Sequence, residues 1–174
     1  EGFRRLLPAC EVEASGKLTG LLEEQRAIKT AEETGRIRNA QRVAEAAFAE
    51  ILAYIRPGVK EADIALELDY RMRKKGAEDM AFETIAVAGP HSSLPHGVPG
   101  DYRVQNGDLV VLDFGAVYGG YRSDMTRTVA VGHVTYEMRR VYETVLQAQR
   151  AALDVLRPGL ACAEADRAAR EPIE

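Results

Sequence analysis

Apolar positions along the chain fall into two rhythms. From Thr30 onward, Ile37, Ala40, Ala44, Ala47, Phe48, Ile51 and Ile55 recur at spacings of three and four, which puts them on one face of a long helix. Arg56-Pro57-Gly58 is expected to end it, because proline cannot continue the hydrogen-bond ladder and glycine turns without a Cβ penalty. A second helix is predicted from about Glu61 to Lys75, with Ile64, Leu68 and Met72 as its stripe and the basic Lys74-Lys75-Gly76 as its end. The rhythm then changes. Thr84 to Ala88 reads as a short strand, and a loop rich in Gly, Pro, His and Ser runs through Asp101. Asp108 to Val131 reads as two strands folded about Gly119-Gly120. Helical spacing returns at Val141, Val145, Ala148, Ala152, Val155 and Leu156, and stops at Arg157-Pro158-Gly159.

Two phrases match. Ile55-Arg56-Pro57-Gly58-Val59 and Leu156-Arg157-Pro158-Gly159-Leu160 lie 101 residues apart. Each follows a long amphipathic helix, and each precedes an acidic, Ala-rich one. An internal duplication accounts for the matching flanks, with the second copy breaking off before its strands. Residues 1–28 carry mixed charge and no sustained period. They read as a linker or the remnant of an amino-terminal domain, with the main domain at 29–174.

Composition narrows the partners. At 46% hydrophobic and 29% charged residues, the chain of 174 residues is suited to a packed, soluble core. A net charge of −4 offers no basic footprint for nucleic acid or an anionic membrane. No apolar run approaches the roughly 20 residues that span a bilayer. Glu1 to Pro8 has two arginines and no apolar stretch, so a signal peptide is not expected there. Two cysteines, Cys10 and Cys162, make no disulfide framework and favour a cytoplasmic setting.

The chemistry is concentrated in Asp108-Leu109-Val110-Val111-Leu112-Asp113-Phe114-Gly115 and Tyr118-Gly119-Gly120-Tyr121-Arg122-Ser123-Asp124-Met125-Thr126-Arg127-Thr128. Asp113 interrupts a Val/Leu run expected to be buried, where a carboxylate needs a partner or a cation. Asp124 follows by eleven residues across the turn. With Tyr118-Gly119 as the loop the two aspartates pair directly; with Gly119-Gly120 they are diagonal neighbours. In either register both leave the same face, about 4.5 to 8 Å apart at Cβ. Divalent ions would relieve the repulsion and give a hydrolytic site. The plainer alternative has Asp113 capping a turn and Asp124 facing solvent. A third element, Leu94-Pro95-His96-Gly97, is a histidine in a flexible-composition loop of the kind that carries binding groups.

Taken together, His96-Gly97, the spacings to Asp113 and Asp124, and Asp124-Met125-Thr126-Arg127-Thr128 resemble the pita-bread metallopeptidases, most closely the Xaa-Pro aminopeptidases and Xaa-Pro dipeptidases. Arg26-Ala27-Ile28-Lys29, Arg56-Pro57-Gly58-Val59, Phe82-Glu83-Thr84-Ile85 and Leu112-Asp113-Phe114-Gly115-Ala116 support the likeness, which runs from about Leu21 to Glu174.

The resemblance implies an α/β fold: an antiparallel, curved sheet with helices on one face, its second half incomplete here. It implies a metal-dependent aminopeptidase or dipeptidase that cleaves after an amino-terminal residue preceding proline, by a metal-activated water. Two divalent ions would be held, Mn2+ foremost and Co2+ or Zn2+ in its place, with Asp113 chelating one and Asp124 bridging both. His96 would contact the substrate and stabilise the tetrahedral intermediate. The family's remaining histidine and two glutamates would lie beyond Glu174, so the chain alone is expected to be inactive. Neither His133, at a strand end, nor His91 is given a metal role. The expected partners are a peptide substrate and further copies of the chain, with no nucleic acid or membrane. A methionine aminopeptidase-like enzyme, creatine amidinohydrolase and a non-catalytic interaction module on the same fold are the alternatives; Asp113 and Asp124 speak against creatine amidinohydrolase.

Overall fold

A computed structural model describes residues 16–174, so Cys10 and most of the expected linker lie outside the described residues. Helix α1 spans Lys17–Ala27. Periodicity does not predict it, because Leu18, Leu21 and Leu22 all stay exposed and no buried face imprints a repeat.

Helix α2 spans Ala31–Ile51 and begins with a reciprocal cap. The Glu33 N–H donates to Thr30 Oγ1 at 3.2 Å, and the Thr30 N–H donates to Glu33 Oε2 at 2.7 Å. Ala40, Val43, Ala44, Ala47 and Ile51 form its buried face. The helix stops four residues short of the expected Ile55. Its last turn tightens, with the Tyr54 N–H bonding the Ile51 carbonyl, because Pro57 pushes Arg56 out of helical conformation.

Helix α3 spans Glu61–Lys74 and buries Ile64, Leu68 and Met72, as its stripe predicts. Gly76, at φ 101°, closes it: the Ala77 N–H reaches back to the Met72 carbonyl and the Gly76 N–H to that of Arg73.

Strands β1 (Ile85–Ala88), β2 (Leu109–Phe114) and β5 (Met125–Ala130) form an antiparallel sheet in the order β1-β2-β5. Between β2 and β5 lies a second hairpin, β3 (Val117–Tyr118) and β4 (Tyr121–Arg122). The expected pair of long strands is therefore two coaxial pairs with a break at Gly115-Ala116 and Ser123-Asp124.

Along β2 the side chains alternate. Val110, Leu112 and Phe114 are fully buried and join α2 and α3 in the core, where Phe48 stacks on Phe114 at 6.1 Å. Leu109, Val111 and Asp113 line the other, half-open face. This corrects the expectation that Asp113 sits within a wholly buried strand: burial alternates, and Asp113 falls on the open side.

Helices α4 (Tyr136–Val155) and α5 (Cys162–Arg170) pack on each other, and α5 ends before Pro172. Val141 and Val145 on α4 face a groove of about 660 Å³ over the open side of the sheet, where Leu109, Val111 and Thr128 form part of the wall. The repeated phrase has a structural counterpart. Gly58 and Gly159 adopt φ of 90° and 87°, each after an Arg-Pro pair, and each precedes a helix that starts within three residues. Among the described residues no helix is long and apolar enough to cross a membrane.

Candidate metal centre

One register runs through both halves of the β hairpin. Asp113 stands opposite Thr126, Phe114 opposite Met125, Val117 opposite Arg122 and Tyr118 opposite Tyr121. The turn is therefore Gly119-Gly120, at φ 57° and 76°, the pair of left-handed residues that a tight two-residue hairpin requires. Of the two registers open to the sequence, the structure takes the one in which Asp113 and Asp124 are diagonal neighbours.

The turn is held from outside. Glu78 accepts from the Gly119 N–H at 2.8 Å and the Gly120 N–H at 3.1 Å. Arg36 of α2 donates to the Gly119 carbonyl at 3.2 Å, and the Tyr121 hydroxyl donates to Glu33 at 2.6 Å. At the break, a Cβ on Gly115 would collide with the backbone carbonyl of Ser123. Only glycine permits the close approach that lets Asp124 come round towards Asp113.

The two carboxyls meet. Partial desolvation, and then the neighbouring Asp113 carboxylate and a hydrogen bond to it, push the Asp124 carboxyl above its ordinary value. Among the described residues no cation is among the groups acting on Asp124. Thr126 Oγ1 donates to Asp113 Oδ1 at 2.9 Å and fixes that carboxylate's orientation. A converging carboxylate pair with no cationic partner suits a divalent ion, which satisfies both charges at once. Among the described residues no cluster of three or more His, Cys, Asp or Glu side chains is arranged to hold a metal.

A cleft of about 300 Å³ opens beside Asp113. Ile85, Val111 and Thr126 line it from the sheet, and Leu94 and Pro95 from the loop that follows β1. His96 is exposed and comes one residue after this lining. His91 sits apart from the aspartates, against Glu61.

The sequence pattern of metallopeptidase family M24 matches residues 35–174. The chain belongs to this family. It is 42% identical over 158 residues to the Xaa-Pro dipeptidase of Pyrococcus furiosus, covering 91% of this chain and 45% of that protein. It is 43% identical over 152 residues to an uncharacterized peptidase of Bacillus subtilis, covering 87% and 43%. Among solved structures, the Xaa-Pro dipeptidase from Bacillus anthracis superposes with a TM-score of 0.89 at 42% identity, over 96% of this chain and 47% of that one. The chain spans about half the length of the relatives it matches. The fold is the pita-bread α/β fold of the family.

Three positions escape sequence reasoning. Thr126 lies in a quoted motif, but its bond to Asp113 follows only from the register. Glu78 and Glu61 contact backbone 39 or more and 27 or more residues away, respectively, and nothing local marks them.

Proposed function

We propose that this M24 chain contributes the two aspartate ligands of a dinuclear metallopeptidase of Xaa-Pro type, which hydrolyses the bond after an amino-terminal residue preceding proline. The observation that carries the reading is the convergence of Asp113 and Asp124, with no cation acting on Asp124 among the described residues. Asp113 and Asp124 would hold the ions; Mn2+ suits these carboxylates, with Co2+ or Zn2+ as substitutes. Bound divalent ions supply Lewis acidity and make water a nucleophile near neutral pH.

The chain's own residues prepare that chemistry. Thr126 holds the Asp113 carboxylate in one orientation, which reduces the reorganisation needed when a cation binds. The 89–100 loop brings Leu94 and Pro95 to the cleft and carries His96 next to it, in the role of a group that contacts the substrate. The names of the relatives support a substrate with proline second.

The test is an assay of Xaa-Pro peptide hydrolysis by the enzyme that carries this chain. Chelator-sensitive release of the amino-terminal residue, lost in Asp113→Asn and in Asp124→Asn, is expected. Full activity in either variant would contradict the reading. The 174-residue chain alone is expected to release negligible product, because two carboxylates under-coordinate a pair of ions.

A further inference from the structure

Glu61 is the one fully buried acidic side chain among the described residues, and neither aspartate of the pair is among its hydrogen-bond partners. It opens α3, where a carboxylate is favoured by the helix dipole. Yet it bonds none of its own helix's N–H groups. Oε1 accepts from the Ala88 N–H at 2.7 Å, and Oε2 accepts from the Gly100 N–H at 3.1 Å. His91 Nδ1 lies 3.0 Å from Oε1 and 3.2 Å from Oε2 and donates to the carboxylate. These three donors come from the last residue of β1, the turn that follows it, and the far end of the same loop.

The loop between Ala88 and Gly100 is the one that carries Leu94, Pro95 and His96. Its trailing end has other anchors, since the Glu61 and Ala62 N–H groups bond the carbonyls of Tyr102 and Gly100. Its leading end reaches α3 through Glu61. His91 is wedged there, with its ring also against Tyr102 at 5.3 Å between centroids. One carboxylate thus joins the two ends of the loop, with both oxygens in use. A buried carboxylate requires such compensation to persist, and charge-assisted bonds of this kind are the strong ones.

We propose that Glu61 is a positioning residue: by clamping Ala88, His91 and Gly100 to the start of α3 it sets where the 89–100 loop holds His96, the residue that follows the lining of the cleft beside Asp113. The proposal rests on the reading of His96 as a substrate-contacting group, and its test has an arm independent of that reading. Glu61→Gln keeps the size but has a single carbonyl oxygen, so it can serve one end of the loop and not both. Glu61→Asp keeps both oxygens on a shorter arm.

The first arm is amide hydrogen exchange on the chain itself. Glu61→Gln is expected to speed exchange at least tenfold at Ala88 or Gly100, and at Leu94 and Gly97, whose N–H groups close the loop's internal turns. The β2–β5 ladder should keep its protection, and Glu61→Asp should restore part of the loss. Loop exchange unchanged, or rising only in step with the ladder, would overturn the clamp. If Glu61→Gln does not fold, His91→Ala replaces it, with faster exchange at Leu94 and Gly97 expected and parental rates there overturning the proposal. The second arm is the enzyme that carries the chain: Glu61→Gln should lower kcat for a Xaa-Pro peptide on the order of tenfold to a hundredfold with Mn2+ affinity unchanged. An unchanged kcat alongside a loosened loop would overturn the link to His96. Absence of Xaa-Pro hydrolysis in the parent would instead refute the functional reading and leave the exchange arm standing.

Discussion

Thr126 donates a 2.9 Å hydrogen bond to Asp113 across the β2–β5 ladder, making a hydroxyl, and not the second aspartate, the direct cross-strand partner of the first. Thr126→Val removes the donor while keeping the β-branched shape. It is expected to weaken Mn2+ binding by about tenfold, the lower end for loss of a partner that orients a ligand. Thr126→Ser should restore much of it. Free Mn2+ measured by electron paramagnetic resonance checks this, and equal affinity in Thr126→Val would remove Thr126 from the site.

The hairpin turn gives a stability prediction. Gly120 has φ 76° and open space around the position of a Cβ, so Gly120→Ala adds only backbone strain. A loss of about 1–2 kcal/mol is expected by denaturant titration, with Gly120→Asn losing less. Gly115→Ala should be worse, because its Cβ meets the Ser123 backbone, which has no rotamer by which to yield. If Gly115→Ala is the milder of the two, the break beside Asp124 is not built as described.

Much of this was legible in residue order, and the limits are physical. Period-3.6 stripes locate α2, α3 and α4; α2 and α3 bury that face, whereas the stripe of α4 is buried only at Ala148. α1 buries none and stays silent. The placement of Asp113 and Asp124 either side of the turn brings the carboxylates together in either register, yet only the cross-strand pairing and the positive φ of Gly119 and Gly120 show which register is taken. Burial of one face of β2 is written in its alternation, but Val111 and Leu109 made the strand look uniformly apolar. The Glu61 clamp links α3 to backbone amides, which carry no residue identity, and so leaves no trace in the sequence.

Acid should weaken the cap at the start of α2. The Tyr121 hydroxyl, then the Thr30 backbone and side chain, hold the Glu33 carboxyl at about 2 instead of the ordinary 4.5. A carboxyl depressed in the folded state stabilises above its unfolded pKa and loses that contribution as protons bind in the folded state. The melting temperature is therefore expected to fall as pH drops from 4.5 towards 2. Glu33→Gln should flatten this limb relative to the parent. Parallel profiles for the two proteins would show that the Thr30–Glu33–Tyr121 set does not report in that window.

The chain also displays apolar surface. Val141 and Val145 are each 55% exposed along the groove between α4 and the sheet, and Tyr142 is 44% exposed. Contiguous apolar surface of this kind binds hydrophobic dyes. Dye fluorescence is expected to rise on adding the folded chain, and to fall several-fold in Val141→Glu/Val145→Glu. An unchanged signal in the double variant would place the exposed patch elsewhere.

The most direct test of the central claim is paramagnetic broadening by Mn2+ of the chain's amide resonances, which reports even weak, two-ligand binding. Broadening centred on Asp113, Asp124 and Thr126, abolished by Asp113→Asn and by Asp124→Asn, is the expected result. Broadening centred on other acidic residues, or unaffected by either substitution, would contradict the assignment of the aspartate pair as the metal site.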